Sequence, residues 1–384
     1  ALGLDDILLR AGIENAQSCF FNRFGQLIYS EPRGKAAGYD APEVGIHRGR
    51  LQAVLYRAVV ERLGADRVVT NHTCVGVDQD ERRATARFTE TTSGRALDPI
   101  DGAVVIGCDG IHSAIRRQLF PGDDVAFSGI NTWRGVTRMA PILDGRSYIR
   151  IGSILTGKMV IYPIANDVDD EDIRAAGPSQ GANRAPSAGS AAAGSCRKRG
   201  GTRQRVNWLC EIQEEVTERN DWNKPGRLDD FYPRYANWTF DWLDAAAMIR
   251  NADAIYEYPM VDKDPLDRWT FGRVTLAGDA AHPMYPRGSN GAAQAAIDAR
   301  TLADLLKARD DPRDALVEYE RLRRPVTSKI VQTNREFPPD FINIKVEQLV
   351  GDRPFTRLDD FVTQDELRAL SDEYKRVAGF ARPS

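Results

Sequence analysis

Apolar residues at Leu51, Val54, Leu55, Ala58, Val59 and Leu63 recur at i, i+3, i+4 and i+7, which predicts an amphipathic helix over residues 48–63. The stretches 68–77 and 84–91 are rich in β-branched residues, and the short apolar run 102–107 stops at the turn signal Cys108-Asp109-Gly110. All three read as strands, the last one buried. From Trp133 the pattern shifts to short β segments, 133–139, 147–154 and 158–164, resumed at 206–212, and predicts a mostly antiparallel second layer. Apolar spacing returns in 228–235 and 240–249, followed by an extended 254–261 and the run 273–277. An Ala-rich helix is expected over 291–307, a second over 312–331 and a third over 364–378, and no repeat of fixed period breaks this mixed α/β order.

One stretch fits neither pattern. Residues 166–205 carry Asp-Asp-Glu-Asp, then Ala, Gly, Ser and Pro, then the basic run Arg197 to Arg199, with almost nothing large enough to bury, so disorder is expected there. An insertion or a gene-prediction artefact explains it better than an anionic docking site, because solvated charge is the usual reason for such runs. At 384 residues the whole chain exceeds the size at which one core stops growing, and two intimately packed domains are expected.

Composition removes several function classes. With 52 basic against 55 acidic residues the chain has no long-range field to steer a polyanion, so no nucleic-acid partner is expected. Five cysteines, Cys19, Cys74, Cys108, Cys196 and Cys210, are widely spaced without a CxxC pair, which argues against a disulfide framework or zinc site and fits a reducing cytoplasm. The histidines His47, His72, His112 and His282 lack HxxxH or HExxH spacing, so no metal is expected. No serine sits in GxSxG, and no apolar run approaches the roughly 20 residues of a membrane span.

The chemistry is concentrated where Arg273 to Ala277 runs into Gly278-Asp279-Ala280-Ala281-His282, Pro286, Gly288-Ser289-Asn290-Gly291 and a helix. A glycine-rich loop at a helix start lets backbone approach a ligand, and the free N–H groups there carry about half a positive charge. A carboxylate just past a strand end lies in the crevice where open α/β sheets bind ligands, and as an acceptor it can hold sugar or ribitol hydroxyls. Taken singly, Asp279 reads as a turn cap and Gly288 and Gly291 as loop residues; together they read as a cofactor site.

The segment GDAAHPMYPRGSNGAAQAAID, Gly278 to Asp298, resembles the second flavin-contacting motif of the class A flavoprotein aromatic monooxygenases, in the phenazine hydroxylase and salicylate hydroxylase branch. The resemblance implies that Asp279, following Gly278, binds the ribitol of FAD, and that Gly288, Asn290, Gly291 and Ala292 face the pyrimidine edge of the flavin. A helix dipole there favours reduced, anionic flavin. Ile106 to Arg116 resembles the family's DG motif, which implies a cofactor role for Asp109 with Arg116 as its neighbour, although the same residues read nearly as well as an N-capping box. His47-Arg48-Gly49-Arg50-Leu51 matches the family's helix-opening arginine, so Arg48 is expected to reach FAD phosphate or ribitol oxygens. Val75 maps to the adenine-side strand, where backbone groups make the contact. The segment Pro283 to Pro286 is expected on the flavin's substrate side, with Met284 and Tyr285 equally readable as packing residues.

The resemblance runs through nearly the whole chain and implies a FAD-binding, Rossmann-like α/β sheet layer, a mostly antiparallel β substrate layer and C-terminal helices. The expected division is 1–125 and 263–335 for the FAD-binding parts, 126–262 for substrate, and 336–384 for a helical extension. It further implies NADH or NADPH as co-substrate, a small aromatic substrate and dioxygen, a flavin C4a-hydroperoxide as oxygen donor, and allows a homodimer. No single catalytic residue stands out, since the cofactor carries the hard chemistry and the protein excludes water. Complete members open with a strand, GxGxxG and a helix; no GxGxxG occurs in these 384 residues, and Leu2 to Leu9 already reads as a helix in progress. The expectation is therefore a chain truncated at its N-terminus by roughly 50 to 60 residues, about one βαβ unit with its connection. That leaves as alternatives a non-catalytic fragment that holds no FAD, and a flavoprotein of this fold that only reduces or epoxidises its substrate.

Overall fold

The computed structural model describes residues 2–166, 203–214, 224–286, 291–336 and 340–377. Its first half runs α1 (Asp5–Ala11), β1 (Ile13–Asn15), β2 (Gln17–Phe21), β3 (Leu27–Pro32), β4 (Glu43–Gly45), α2 (Arg48–Leu63), β5 (His72–Gln79), β6 (Ala84–Glu90), β7 (Ile100–Gly102), β8 (Val105–Gly107) and α3 (Ala114–Leu119). There follow β9 (Ala126–Met139), β10 (Ser147–Ser153), β11 (Gly157–Asn166), β12 (Gln204–Gln213), α4 (Leu228–Tyr235), β13 (Thr239–Phe240), β14 (Leu243–Asp244), α5 (Ala245–Arg250) and β15 (Ala252–Asp262). The chain ends with β16 (Thr270–Phe271), β17 (Val274–Leu276), α6 (Gly291–Ala308), α7 (Pro312–Glu336), α8 (Phe341–Val350) and α9 (Gln364–Val377).

Seven strands form one sheet in the order β15-β9-β12-β11-β10-β2-β3. Neighbours are antiparallel except β10 and β2, which run parallel with Ile149 beside Cys19 and Arg150 beside Phe20. Strand side chains alternate between faces. One face therefore gathers Trp133, Ile149, Ile151, Met159, Ile161, Val206, Trp208 and Cys210 into a core under Phe231 and Tyr235 of α4 and Met248 and Ile249 of α5. Trp133 stacks on Phe231 with centroids 5.1 Å apart. Gly135 lies opposite Trp208, and a Cβ there would meet the indole at 2.3 Å, so only glycine fits beneath that ring. Alternation sends Arg134, Val136, Tyr148, Arg150, Tyr162, Arg205 and Asn207 to the other face.

A second core surrounds β17, which pairs in parallel with β8, Thr275 beside Ile106. Val274, Leu276, Ala277 and Ala280 pack there with Ile115 of α3, Leu302 of α6, and Leu316 and Tyr319 of α7. Because β8 and β17 run the same way, the loops carrying Asp109 and Asp279 leave the sheet at the same end. In a third core α8 and α9 cover the β2–β3 end of the large sheet, with Ile342, Val346 and Leu367 on Phe20, Ile28 and Tyr29.

Most differences from the expected elements have local causes. Residues 167–202 of the stretch expected to be disordered lie outside the described residues, but its flanks are strand: Asn166 pairs with Gln204 and Ala165 with Arg205. The segment thus joins two neighbouring antiparallel strands, a position where added length costs the sheet little. The 240–249 spacing resolves into a tight hairpin, β13 and β14, before a helix capped by Asp244, whose carboxylate accepts from Ala247 N at 2.8 Å. Gln17 to Pro32, on the N-terminal side of the boundary expected at residue 125, pairs into the same sheet as the strands beyond it.

Candidate cofactor and substrate site

Gly278 has φ +58°, the left-handed region that glycine enters without a Cβ penalty, and it opens the short turn Gly278–Ala280 at the end of β17. A buried carboxylate on α6 holds that turn. Asp298 Oδ2 accepts from Gly278 N at 3.0 Å and lies 2.5 Å from His282 Nε2, while Oδ1 accepts from Arg323 Nε of α7 at 2.8 Å. Asp298 and His282 are buried, and Arg323 is only 7% exposed. An ionised carboxylate here requires the imidazole proton on Nε2. Burial pushes the Asp298 carboxyl up, but the bonds from His282, Arg323 and Gly278 outweigh it and hold the group below the ordinary aspartate range. Arg323 also donates to Gln294 Oε1 at 2.6 Å, so one cation ties α7 to α6 at two points, and Asp298 passes that anchorage on to the loop.

The second loop is clamped to the first by Arg116, which is fully buried on α3. It forms a bidentate pair with Asp123 at 2.7 and 2.9 Å, and donates through Nη1 to Ala280 O at 3.1 Å and Ala281 O at 3.0 Å, and through Nη2 to Asp264 O at 3.1 Å. All five guanidinium protons therefore have acceptors, as burying such a cation demands. Asp109 accepts from Ala114 N at 2.8 Å and Ser113 Oγ from Arg116 N at 2.9 Å. The capping geometry of this motif is thus present, on an aspartate that remains exposed.

Asp279 is exposed at the end of β17, beside the start of α6: a Cβ built on Gly291 would stand 3.8 Å from Asp279 Oδ1. The next two residues, Ala292 and Ala293, are also exposed and face a cavity of about 1380 Å³. Arg48 opens α2 on another side of this cavity, where His47 caps the helix by accepting from Gly49 N at 3.2 Å. Burial, then Arg50, Arg205 and Arg134, hold the His47 pKa below the ordinary value, so the ring is neutral at physiological pH. The polar sheet face supplies the floor through Arg134, Tyr148, Arg150, Tyr162, Arg205 and Asn207, and the C-terminal helices supply an outer wall through Phe341, Tyr374 and Lys375. Burial raises the Tyr162 phenol against the opposing pull of Arg134, and burial likewise raises Tyr258, so both remain O–H donors.

Of the residues singled out in the sequence, Arg48 and Ala292 share the cavity wall, Asp279 and Gly291 stand side by side, and Asp109 lies at the end of the neighbouring strand. Gly288 and Asn290 lie outside the described residues. Val75 is not on the cavity wall; it falls at a bulge, where Cys74 pairs with Phe88 and Gly76 with Arg87, and its backbone has no register partner. Tyr285 is buried against Ile130 and Met260, a packing position. Sequence reasoning gave no role to Asp298 or Arg323, and none to the sheet-face residues. The alternation Tyr148-Ile149-Arg150-Ile151, polar and apolar in turn, was the available signal for the latter.

The comparisons with known proteins agree with this geometry. The model of the family described as FAD binding domain matches residues 44–334. The chain is 37% identical over 340 residues to phenazine 1,6-dicarboxylic acid hydroxylase PhzS of Lysobacter antibioticus, covering 88% of this chain and 76% of that protein. It is 31% identical over 333 residues to 3-amino-4-hydroxybenzoate 2-monooxygenase PtmB3 of Streptomyces platensis, covering 84% and 71%. Among solved structures, Klebsiella pneumoniae HpxO complexed with FAD and uric acid superposes with TM-score 0.66 at 19% identity, covering 98% of this chain and 82% of that one. A salicylate hydroxylase substrate complex gives TM-score 0.65 at 18% identity, covering 99% and 84%. At these identities the structures attest to the fold.

Proposed function

This chain belongs to the FAD binding domain family, among its aromatic monooxygenases, and from that premise we propose that it hydroxylates a planar aromatic acid with NADH or NADPH and dioxygen as co-substrates. The observation that carries the reading is one cavity walled by Ala292 and Ala293 at the start of α6 and by a sheet face of arginines and tyrosines, with the exposed Asp279 carboxylate standing next to that helix start. FAD, when bound, would take two electrons from NAD(P)H and pass them to dioxygen, activating it. The residues present suit it: Asp279 offers an acceptor to ribitol hydroxyls, the small residues Gly291, Ala292 and Ala293 leave room for a flat ring, and the N-terminus of α6 stabilises negative charge on that ring. Arg48 offers a guanidinium fork to phosphate or ribitol oxygens.

Across the cavity, Arg134 and Arg205 can hold a substrate anion, and the Tyr162 hydroxyl can donate to a ring substituent. At about 1380 Å³ the cavity exceeds the roughly 300–1,000 Å³ of a single small-molecule site, which leaves space for a flavin ring and a substrate together. The wall of α8 and α9 shields both from water, the condition for oxygen transfer to outpace wasteful release of hydrogen peroxide.

The test uses the protein loaded with FAD. NAD(P)H consumption should rise at least tenfold on adding phenazine-1,6-dicarboxylate or a hydroxybenzoate. A yellow protein whose consumption no aromatic acid stimulates would count against the monooxygenase reading. A protein that takes up no FAD would favour a non-catalytic module.

A further inference from the structure

Arg150 sits on the polar face of the large sheet, between Ile149 and Ile151 of the core, and lines the cavity while only 6% exposed. Its one hydrogen bond among the described residues runs from Nη1 to Ser18 Oγ at 2.6 Å. Its guanidinium lies 4.9 Å from the Phe20 ring centroid and 4.6 Å from that of Tyr148. No carboxylate pairs with it among the described residues; the nearby acids on the wall are engaged elsewhere, Glu43 with Arg33 and Glu31 with Lys375 and Ser371. Aromatic faces stabilise a cation but do not neutralise it, and a buried charge without a counter-ion is costly. Such an arrangement persists where a ligand supplies the missing charge.

The surroundings say what kind of ligand. Tyr148 stacks on Tyr162 with centroids 5.1 Å apart and planes within 8°. On the same face β12 and β9 follow β11 in the sheet and carry Asn207 opposite Tyr162, then Arg205 and Arg134, so the tyrosine pair lies between Arg150 on one side and these two arginines on the other. A planar ring system bearing one anionic group would engage one end, and a ring system with anionic groups at both ends would engage both. Resting on the aromatic-acid reading given above, we propose that Arg150 forms an anion subsite that receives a carboxylate of a planar polycyclic substrate, at the opposite end of the tyrosine stack from Arg134 and Arg205. Arg150 is then a specificity-determining residue for substrates with a second anionic group.

The test measures binding by tryptophan fluorescence with three probes: phenazine-1,6-dicarboxylate, phenazine-1-carboxylate and unsubstituted phenazine. Wild type should bind the dicarboxylate about ten- to a hundredfold more tightly than the monocarboxylate, the factor a charge-assisted bond contributes. Arg150→Gln should erase that step while leaving unsubstituted phenazine, which uses only the aromatic surface, within threefold of wild type. A step that survives Arg150→Gln overturns the subsite and leaves the aromatic-acid reading standing. Wild type that binds none of the three overturns both. If Arg150→Gln loses unsubstituted phenazine as well, Arg150→Lys decides: it keeps the charge, so a retained preference for the dicarboxylate supports the subsite and equal affinities overturn it.

Discussion

Asp298→Ala is expected to cost about 3–5 kcal/mol of folding stability, because it leaves Arg323 buried without its anion and strips Gly278 N and His282 Nε2 of their acceptor in the same step. That is a large share of the roughly 5–15 kcal/mol that keeps a domain folded, so much of the variant should be unfolded or insoluble at 37 °C. Urea unfolding of the two proteins side by side checks it, and a difference under about 1 kcal/mol would show that the cluster carries little of the fold. The pH dependence has a definite sign. The folded-state pKa of Asp298 lies below its unfolded value, so its contribution is complete above the ordinary aspartate pKa of about 3.9 and fades only as pH falls through the depressed folded value. The gap between wild type and variant should therefore be flat from neutrality down to about pH 4 and close only in stronger acid.

Asp279→Ala should behave in the opposite way. The side chain is exposed and stands at the start of α6, where an acidic group is worth at most about 1 kcal/mol to the fold. Stability should be nearly unchanged. Flavin affinity, by contrast, should fall about ten- to a hundredfold, the loss expected when ligand hydroxyls forfeit a charged acceptor worth about 1.5–3 kcal/mol. Flavin titration followed by fluorescence quenching measures it, with the thermal midpoint recorded on the same samples. Unchanged flavin affinity would remove Asp279 from the site. The two aspartates lie near one loop, and the paired variants separate the one that shapes it from behind, Asp298, from the one proposed to meet the ligand, Asp279.

The division between what could and could not be read from the sequence follows the same line. Helix α2, the strands β10, β11 and β12, and the helix α6 were legible because their apolar periodicity is set by the one face each buries. The turn at Gly278 and the start of α6 were legible as local structure because the strand end, the glycine and the following helix stand close together in sequence, while Gly288 and Asn290 lie outside the described residues. Pairs such as Asp298 with Arg323, or Arg116 with the Ala280 and Ala281 carbonyls, join segments far apart in the chain, and only packing reveals them. The third core was missed for a related reason: the short strands β2 and β3 acquire their burial from α8 and α9, more than 300 positions later. The cavity-lining face of the large sheet escaped because period-2 alternation shows that one side is polar without showing that a cavity lies against it.

The central claim is that the cavity hosts oxygen transfer from dioxygen to an aromatic ring. The most direct measurement supplies FAD-loaded protein with NAD(P)H, phenazine-1,6-dicarboxylate and oxygen-18 gas, and weighs the product by mass spectrometry. Product carrying one labelled oxygen atom is the expected result; product without label, or cofactor turnover that yields only hydrogen peroxide, would contradict it.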